Sequence, residues 1–345
     1  MKKRNKISIL SKPIVLKKIV KYKKKIIKGE YGLQLVELNY QNMCNFKCEH
    51  CFSKNLDSGK RSLTVKDVKK LADQAHELGV WQWHLQGGEP MVWEDLDDVL
   101  EAINPERFHV FITSNGWLLT KDKAEKLARS GVDKVSVSID SFNAEKHDAF
   151  RHQPGAYDRA VQALFNVKEA GMQANINTCV THQNVQSQEL LNIIEFARDS
   201  GFTILFLIAT SSGAWAGKTD MLINEADRKY LERLKKKYPF VHRDIYPLFN
   251  HDWGCRTMNG LVYITPEGDL LSCPFIHIKI GNILDEPLKD ILTRGWKVKH
   301  FRDFNDKCLA GEDQNFIGKY MSKAIGKKGT VPFDDAFDKN DLYND

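Results

Sequence analysis

Cys44-Asn45-Phe46-Lys47-Cys48-Glu49-His50-Cys51 (CNFKCEHC) gathers three of the chain's seven cysteines and one histidine into eight residues. On a loop, Cys-x3-Cys-x2-Cys spacing lets three thiolates take three corners of an iron–sulfur cube while the fourth iron stays open to a small molecule. A Cys3His zinc site, completed by His50 or a distant cysteine, is the competing reading. The residues around the loop separate the two.

CNFKCEHC directly follows a strand-like run at 33–38, the first of a series. Further strand-like runs fall at 81–86, 108–113, 134–139, 174–180 and 204–209. Between them lie helical patterns with start and stop signals. Thr64-Val65-Lys66-Asp67 reads as a capping box, Val65, Val68, Leu71, Ala75 and Leu78 form an apolar face, and Gly79 ends the helix. The stretches ending at Gly131, Gly171 and Gly201 follow the same logic. Six βα repeats predict a parallel sheet with right-handed crossovers, either a barrel or an open doubly wound sheet. Beyond about residue 240 the rhythm breaks. Residues 261–265, the turn Pro266-Glu267-Gly268-Asp269 and residues 270–272 read as a hairpin, and a short helix follows near 287–293.

The polar signals share one end of this sheet. Gly87-Gly88-Glu89-Pro90 follows the second strand, Ser114-Asn115-Gly116 the third and Asp140 the fourth. The C-terminal ends of parallel strands are where barrels and open sheets build their active sites.

With these motifs in register over about residues 33–209, the sequence resembles the radical S-adenosylmethionine (SAM) enzymes. The resemblance implies that Cys44, Cys48 and Cys51 hold a [4Fe–4S] cluster whose fourth iron chelates the amino and carboxylate groups of SAM. It implies that Gly87, Gly88, Glu89 and Pro90 form the methionine-binding turn, with Gly88 and Glu89 meeting the methionyl amine. Ser114 and Asn115 line the same pocket, Ser138 and Asp140 would contact the ribose, and Arg151 the SAM carboxylate. His50 departs from the family pattern, which has a flat apolar aromatic before the last cysteine. The C-terminal spacing of Cys255, Gly268 and Cys273 (twelve residues, then four) resembles the opening of a SPASM auxiliary-cluster domain. Only Cys308 follows, so the likeness is to a shortened form, with one auxiliary [4Fe–4S] cluster on Cys255, Cys273 and Cys308. Its fourth ligand is substrate, water, or a residue such as His300 or Asp306. Three ordinary buried thiols are the alternative.

Two lumen residues carry a double reading. Strand alternation puts Asn175, Asn177 and Cys179 on one face, so Cys179 is either a buried thiol or a hydrogen-atom donor to a substrate radical. His84, flanked by Gln82 and Gln86, is either a satisfied structural histidine or a proton acceptor.

At 345 residues, 42% hydrophobic and 28% charged, the chain can bury a sizeable core. Seven cysteines do not form a secreted disulfide framework, and no run approaches a membrane span or signal-peptide core, which places the protein in a reducing cytoplasm. Residues 1–28 hold twelve Lys and Arg and no acid, whereas the other 317 hold 39 basic and 45 acidic groups. Val15, Ile19, Tyr22 and Ile26, with Leu16, Val20 and Ile27 beside them, give residues 13–28 an apolar stripe among lysines. Such a helix either packs on the main domain or meets an anionic membrane surface.

The expectation is a partial (β/α)6 TIM-like barrel with a small C-terminal α+β iron–sulfur module. Its divisions are a basic amphipathic segment at 1–30, the barrel at 31–240, the auxiliary module at 250–325 and a loose polar tail at 326–345. The resemblance implies reductive cleavage of SAM to a 5′-deoxyadenosyl radical and hydrogen abstraction from an unactivated C–H bond. A one-electron reductase such as flavodoxin would supply the electron. The favoured substrate is a carbohydrate-type small molecule that is oxidised or epimerised, and the alternative is a ribosomally made peptide. A non-catalytic iron–sulfur or zinc protein binding nucleic acid is the reading from another class. The mildly acidic body and GGEP argue against it, so no nucleic-acid partner is expected.

Overall fold

The computed structural model describes residues 11–56, 58–244, 246–247 and 253–344. After α1 (Pro13–Ile27), strands and helices alternate: β1 (Leu35–Leu38), α2 (Val65–Glu77), β2 (Gln82–Leu85), α3 (Leu96–Ile103), β3 (His109–Ser114), α4 (Lys121–Arg129) and β4 (Lys134–Ser138). The alternation continues through α5 (Ala144–Arg151), α6 (Ala156–Glu169), β5 (Gln173–Val180), α7 (Gln188–Ser200), β6 (Thr203–Ile208), α8 (Glu225–Lys237) and β7 (Val241–Arg243). A two-residue ribbon, β8 (Tyr246–Pro247) with β9 (Trp253–Gly254), precedes β10 (Leu261–Ile264), β11 (Asp269–Leu271), β12 (Lys279–Asn282) and α9 (Leu288–Gly295).

All six expected strands form. The Thr64–Asp67 capping box closes with both of its hydrogen bonds, and Gly79 follows the helix at φ 86°. Val36, Leu38, Trp83, Leu85, Val110, Ile112, Val135 and Val137 face the helices and are buried. Each such side chain stabilises the fold by about 1.5–3 kcal/mol. The alternate residues face inward and are largely polar, so the lumen is lined rather than filled. β1 to β7 run parallel in sequence order, the open barrel expected from the βα repeats.

Three features depart from the sequence expectation. β7 is a seventh parallel strand, too short to show alternation. The C-terminal hairpin does not form a sheet of its own: β10 pairs parallel with β1, Leu35 opposite Leu261, so the module extends one ten-stranded sheet. The tail is not loose. Val331, Ala336 and Phe337 are buried, Phe337 packs on Phe301 and Tyr320, and Asp341 accepts hydrogen bonds from Tyr320 and Lys319. Its few apolar residues are spaced to dock, which overall polarity hides.

α1 packs on the fold through Val15 and Tyr22, and Lys18 is buried with them. Lys18 Nζ donates to the carbonyls of Val80 (2.7 Å) and Arg107 (2.9 Å) and lies 4.1 Å from the centre of the Phe108 ring. Lys12 donates to Asp133 and to the Phe108 and Gly131 carbonyls. Val20 and Ile27 stay on the outer face. The stripe therefore serves packing, and residues 1–10 of the basic segment lie outside the described residues. Among the described residues, no helix is long and apolar enough to cross a membrane.

Candidate active site

The loop after β1 carries Cys44, Cys48 and Cys51, and each sulfur faces a hydrogen-bond donor or hydroxyl. Phe46 N donates to Cys44 (3.4 Å), Arg151 Nη1 to Cys48 (3.7 Å), and Ser53 Oγ lies 3.4 Å from Cys51. Burial pushes the Cys44 thiol up to about 12 and raises Cys48 too, an effect that Arg151 opposes. Thiolate at Cys44 thus calls for a bound cation. Among the described residues no three His, Cys, Asp or Glu side chains converge tightly enough for a single metal ion. His50 does not turn to the thiols as a zinc ligand. It stacks on Phe150 at 4.4 Å and 6°, beside Trp215, and burial drops it to about 3, a neutral flat ring.

The GGEP turn is fastened to that loop. Glu89 N donates to the Met43 carbonyl (2.8 Å), and a Cβ on Gly88 would stand 2.1 Å from the same oxygen. Glu89 is buried and accepts from Met91 N (3.0 Å), Ser114 Oγ (2.8 Å) and Asn115 N (2.7 Å). A carboxylate has about four acceptor positions, so about one remains for a further donor. Asn115 Nδ2 reaches Asn45 in the cysteine loop (2.8 Å). Pro90 opens the turn that follows, and Ser138 lines the same wall.

Asp140 and Arg151 meet each other. Both Arg151 Nε and Nη2 lie 2.6 Å from Asp140 Oδ2, and Cys179 N donates to Asp140 Oδ1 (2.9 Å). Burial is the largest influence and works against the Asp140 carboxylate, but the Arg151 charge, the nearby His50 and His147 and the hydrogen bond from Cys179 N together outweigh it and hold the group below its usual range. Arg151 thus links Asp140 to Cys48, with its Nη1 on the sulfur. Cys179 is buried at the cavity wall, and burial raises its thiol so that it stays protonated.

A cavity of about 1680 Å³, counted out to its open mouth, runs from this loop to Cys255, Cys273 and Cys308. At the far set, hydrogen bonds from the Cys308 side chain and the Leu309 and Thr257 backbone N–H groups outweigh burial and hold the Cys255 thiol below its usual range. His300 and Asp306, the expected fourth-ligand candidates, are elsewhere. His300 packs edge-on to Phe316 and Tyr320, and Asp306 is exposed opposite Arg228.

Of the floor, sequence reading singled out His84 and missed its neighbours Glu37, Phe111 and Lys134. Glu37, His84, Phe111 and Lys134 form one register layer across β1 to β4. Glu37 Oε1 lies 2.9 Å from His84 Nδ1, and Thr113 Oγ1 lies 2.8 Å from His84 Nε2. Lys134 Nζ stands 4.5 Å from the Phe111 ring centre, and its burial lowers it to about 8. His84 is thus both hydrogen-bonded on each nitrogen and part of the cavity wall. Gly213, after β6, supports the cysteine loop from outside, with Ala214 N donating to the Cys51 carbonyl (2.9 Å). Its only signal was a glycine-bearing loop at the same end of the sheet.

Comparison with known proteins agrees with this geometry. The radical SAM superfamily profile matches residues 38–197, and the SPASM iron–sulfur cluster-binding domain matches 255–311. Mycofactocin maturase MftC of Mycolicibacterium smegmatis is 32% identical over 268 residues, covering 72% of this chain and 67% of that protein. The chain belongs to the radical SAM superfamily. An AdoMet-dependent heme synthase of Nitratidesulfovibrio vulgaris is 24% identical, covering 87% of this chain and 90% of its own. Among solved structures, Streptococcus suis SuiB bound to its precursor peptide SuiA superposes with a TM-score of 0.63 at 19% identity, covering 82% of this chain and 71% of SuiB. The radical SAM chain carries a short SPASM domain, so its cofactors are SAM, a [4Fe–4S] cluster and an auxiliary iron–sulfur cluster. The donors aimed at the cysteine sulfurs fit thiolate ligation of such clusters.

Proposed function

We propose that this radical SAM enzyme abstracts hydrogen from a carbohydrate-type small molecule held between Cys44-Cys48-Cys51 and Cys255-Cys273-Cys308, and oxidises or epimerises it at a carbinol carbon. The first set would hold the SAM-binding cluster and the second the auxiliary cluster. In an oxidation the substrate radical would give its second electron to the auxiliary cluster and release a proton to solvent. In an epimerisation Cys179, on the cavity wall, would return the hydrogen atom and be re-reduced by the external one-electron donor. When bound and reduced, the cluster with SAM supplies a 5′-deoxyadenosyl radical. The chain's own residues do the rest. Gly88 leaves room for the methionyl group and Glu89 offers its remaining acceptor position to the amine. Ser114 and Asn115 hold Glu89 in place, Ser138 and the Asp140–Arg151 pair border the nucleoside, and the buried wall excludes water.

The observation that carries the substrate reading is the density of hydrogen-bonding groups on the lumen wall: Glu37, His84, Thr113, Lys134, Ser136 and Asn177. Most of these groups pair with one another, but Glu37 Oε2 is buried without a hydrogen-bond partner, and a hydroxyl of a polyhydroxylated molecule can meet it where an apolar one cannot. The second reading, a peptide substrate, is favoured by the likeness to the maturase MftC and to SuiB. Perdeuterated nucleotide sugars and perdeuterated precursor peptides offered in parallel would separate the two. Deuterium in 5′-deoxyadenosine from a sugar supports the proposal, and deuterium from peptides alone refutes it.

A further inference from the structure

We propose that Asp244, the residue after β7, is the fourth protein ligand of the auxiliary cluster. The inference rests on the assignment of Cys255, Cys273 and Cys308 to that cluster, which leaves one iron without a thiolate. Asp244 lines the cavity with all three cysteines. Its Oδ2 accepts from Ile208 N (3.3 Å), which fixes the carboxylate at the end of β6. Its Oδ1 is buried without a hydrogen-bond partner, and the nearest cation, Arg243 Nε, stands 3.8 Å away. Arg243 makes its short contact through Nη2 to Glu312 (2.6 Å), so its pairing with Asp244 is the longer one and leaves Oδ1 without a hydrogen bond. The Glu312 carboxylate in turn accepts from Cys308 N (2.9 Å), so the cysteine's loop and the end of β7 are tied together. The Asp244 charge acts on each of the three thiols.

Glu312 also has an unpartnered oxygen, but it does not line the cavity that the three cysteines share. Asp244 is therefore the carboxylate placed to close the cluster. A carboxylate oxygen is a harder and weaker partner for iron than a thiolate. The corner held by Asp244 would thus be the exchangeable one, and Asp244 itself lines the cavity.

The test uses the full chain carrying Cys44→Ala, Cys48→Ala and Cys51→Ala, so that only the auxiliary cluster remains. The parent, Asp244→Cys and Asp244→Ala forms are reconstituted anaerobically and titrated with ferricyanide. Iron content and electron paramagnetic resonance are followed, with circular dichroism to confirm folding. The parent should lose about one iron in four and give a three-iron signal. Asp244→Cys, with a fourth thiolate, should keep its iron at the same oxidant ratio, and Asp244→Ala should lose iron at a lower ratio than the parent. Iron retention and spectra identical in all three would overturn the inference. A parent that binds no iron would instead overturn the cysteine assignment beneath it. If Asp244→Ala fails to fold, the comparison of parent with Asp244→Cys still decides.

Discussion

A Cβ on Gly213 would stand 2.3 Å from the Cys51 carbonyl oxygen and 2.4 Å from that of Phe52, closer than side-chain carbons approach. Gly213→Ala must push the cysteine loop aside while leaving Cys255, Cys273 and Cys308 untouched. Iron analysis of the reconstituted variant should find about half the iron of the parent, and full iron would contradict the role. Arg151→Gln should strand the buried Asp140 carboxylate and destabilise the protein by about 3 kcal/mol, read from denaturant midpoints. A loss below about 1 kcal/mol would show the pair to be weakly coupled. The residues that sequence reveals here are those with fixed local spacing: the three cysteines, GGEP and Cys255-Gly268-Cys273. Gly213, Glu37, Thr113, Lys134 and Asp244 have no such signature. Strand register and loop contact bring them together, and a single sequence does not display either.

Elements were legible where periodicity ran long enough. The six βα units and the capping box at Thr64 follow from apolar spacing and stop signals, whereas β7, of three residues, offers none. The hairpin was legible, but its attachment to β1 was not, because pairing at a sheet edge depends on what the rest of the fold leaves open. For α1, the stripe was visible and its partner was not. Lys18, which looks like one lysine among many, is the anchor. Lys18→Ala should lower stability by about 2 kcal/mol by removing a charged donor from two carbonyls, while Lys21→Ala, on the exposed face, should change it little. Equal thermal midpoints for the two variants would contradict the docking of α1.

At the scale of the whole molecule, the tail closes over the auxiliary module. Burial opposes ionisation of Asp341, but hydrogen bonds from Lys319 and Tyr320 outweigh it and hold the carboxyl at about 2, below its ordinary 3.8. A carboxyl depressed in the folded state stabilises fully above its unfolded value and loses that contribution as pH falls toward the folded one. Asp341→Asn should therefore cost on the order of 1–2 kcal/mol after solvent screening, undiminished from pH 7 down to about pH 4.5. A gap that closed by pH 5 would count against the contact.

The central claim is that the cysteine loop and the GGEP turn form a site for reductive cleavage of SAM. Anaerobically reconstituted protein, given dithionite and SAM, should bind about eight irons and release 5′-deoxyadenosine, and Cys44→Ala should bind about half as many and release none. An iron-replete chain that released no 5′-deoxyadenosine, or a Cys44→Ala variant that cleaved SAM at full rate, would contradict it.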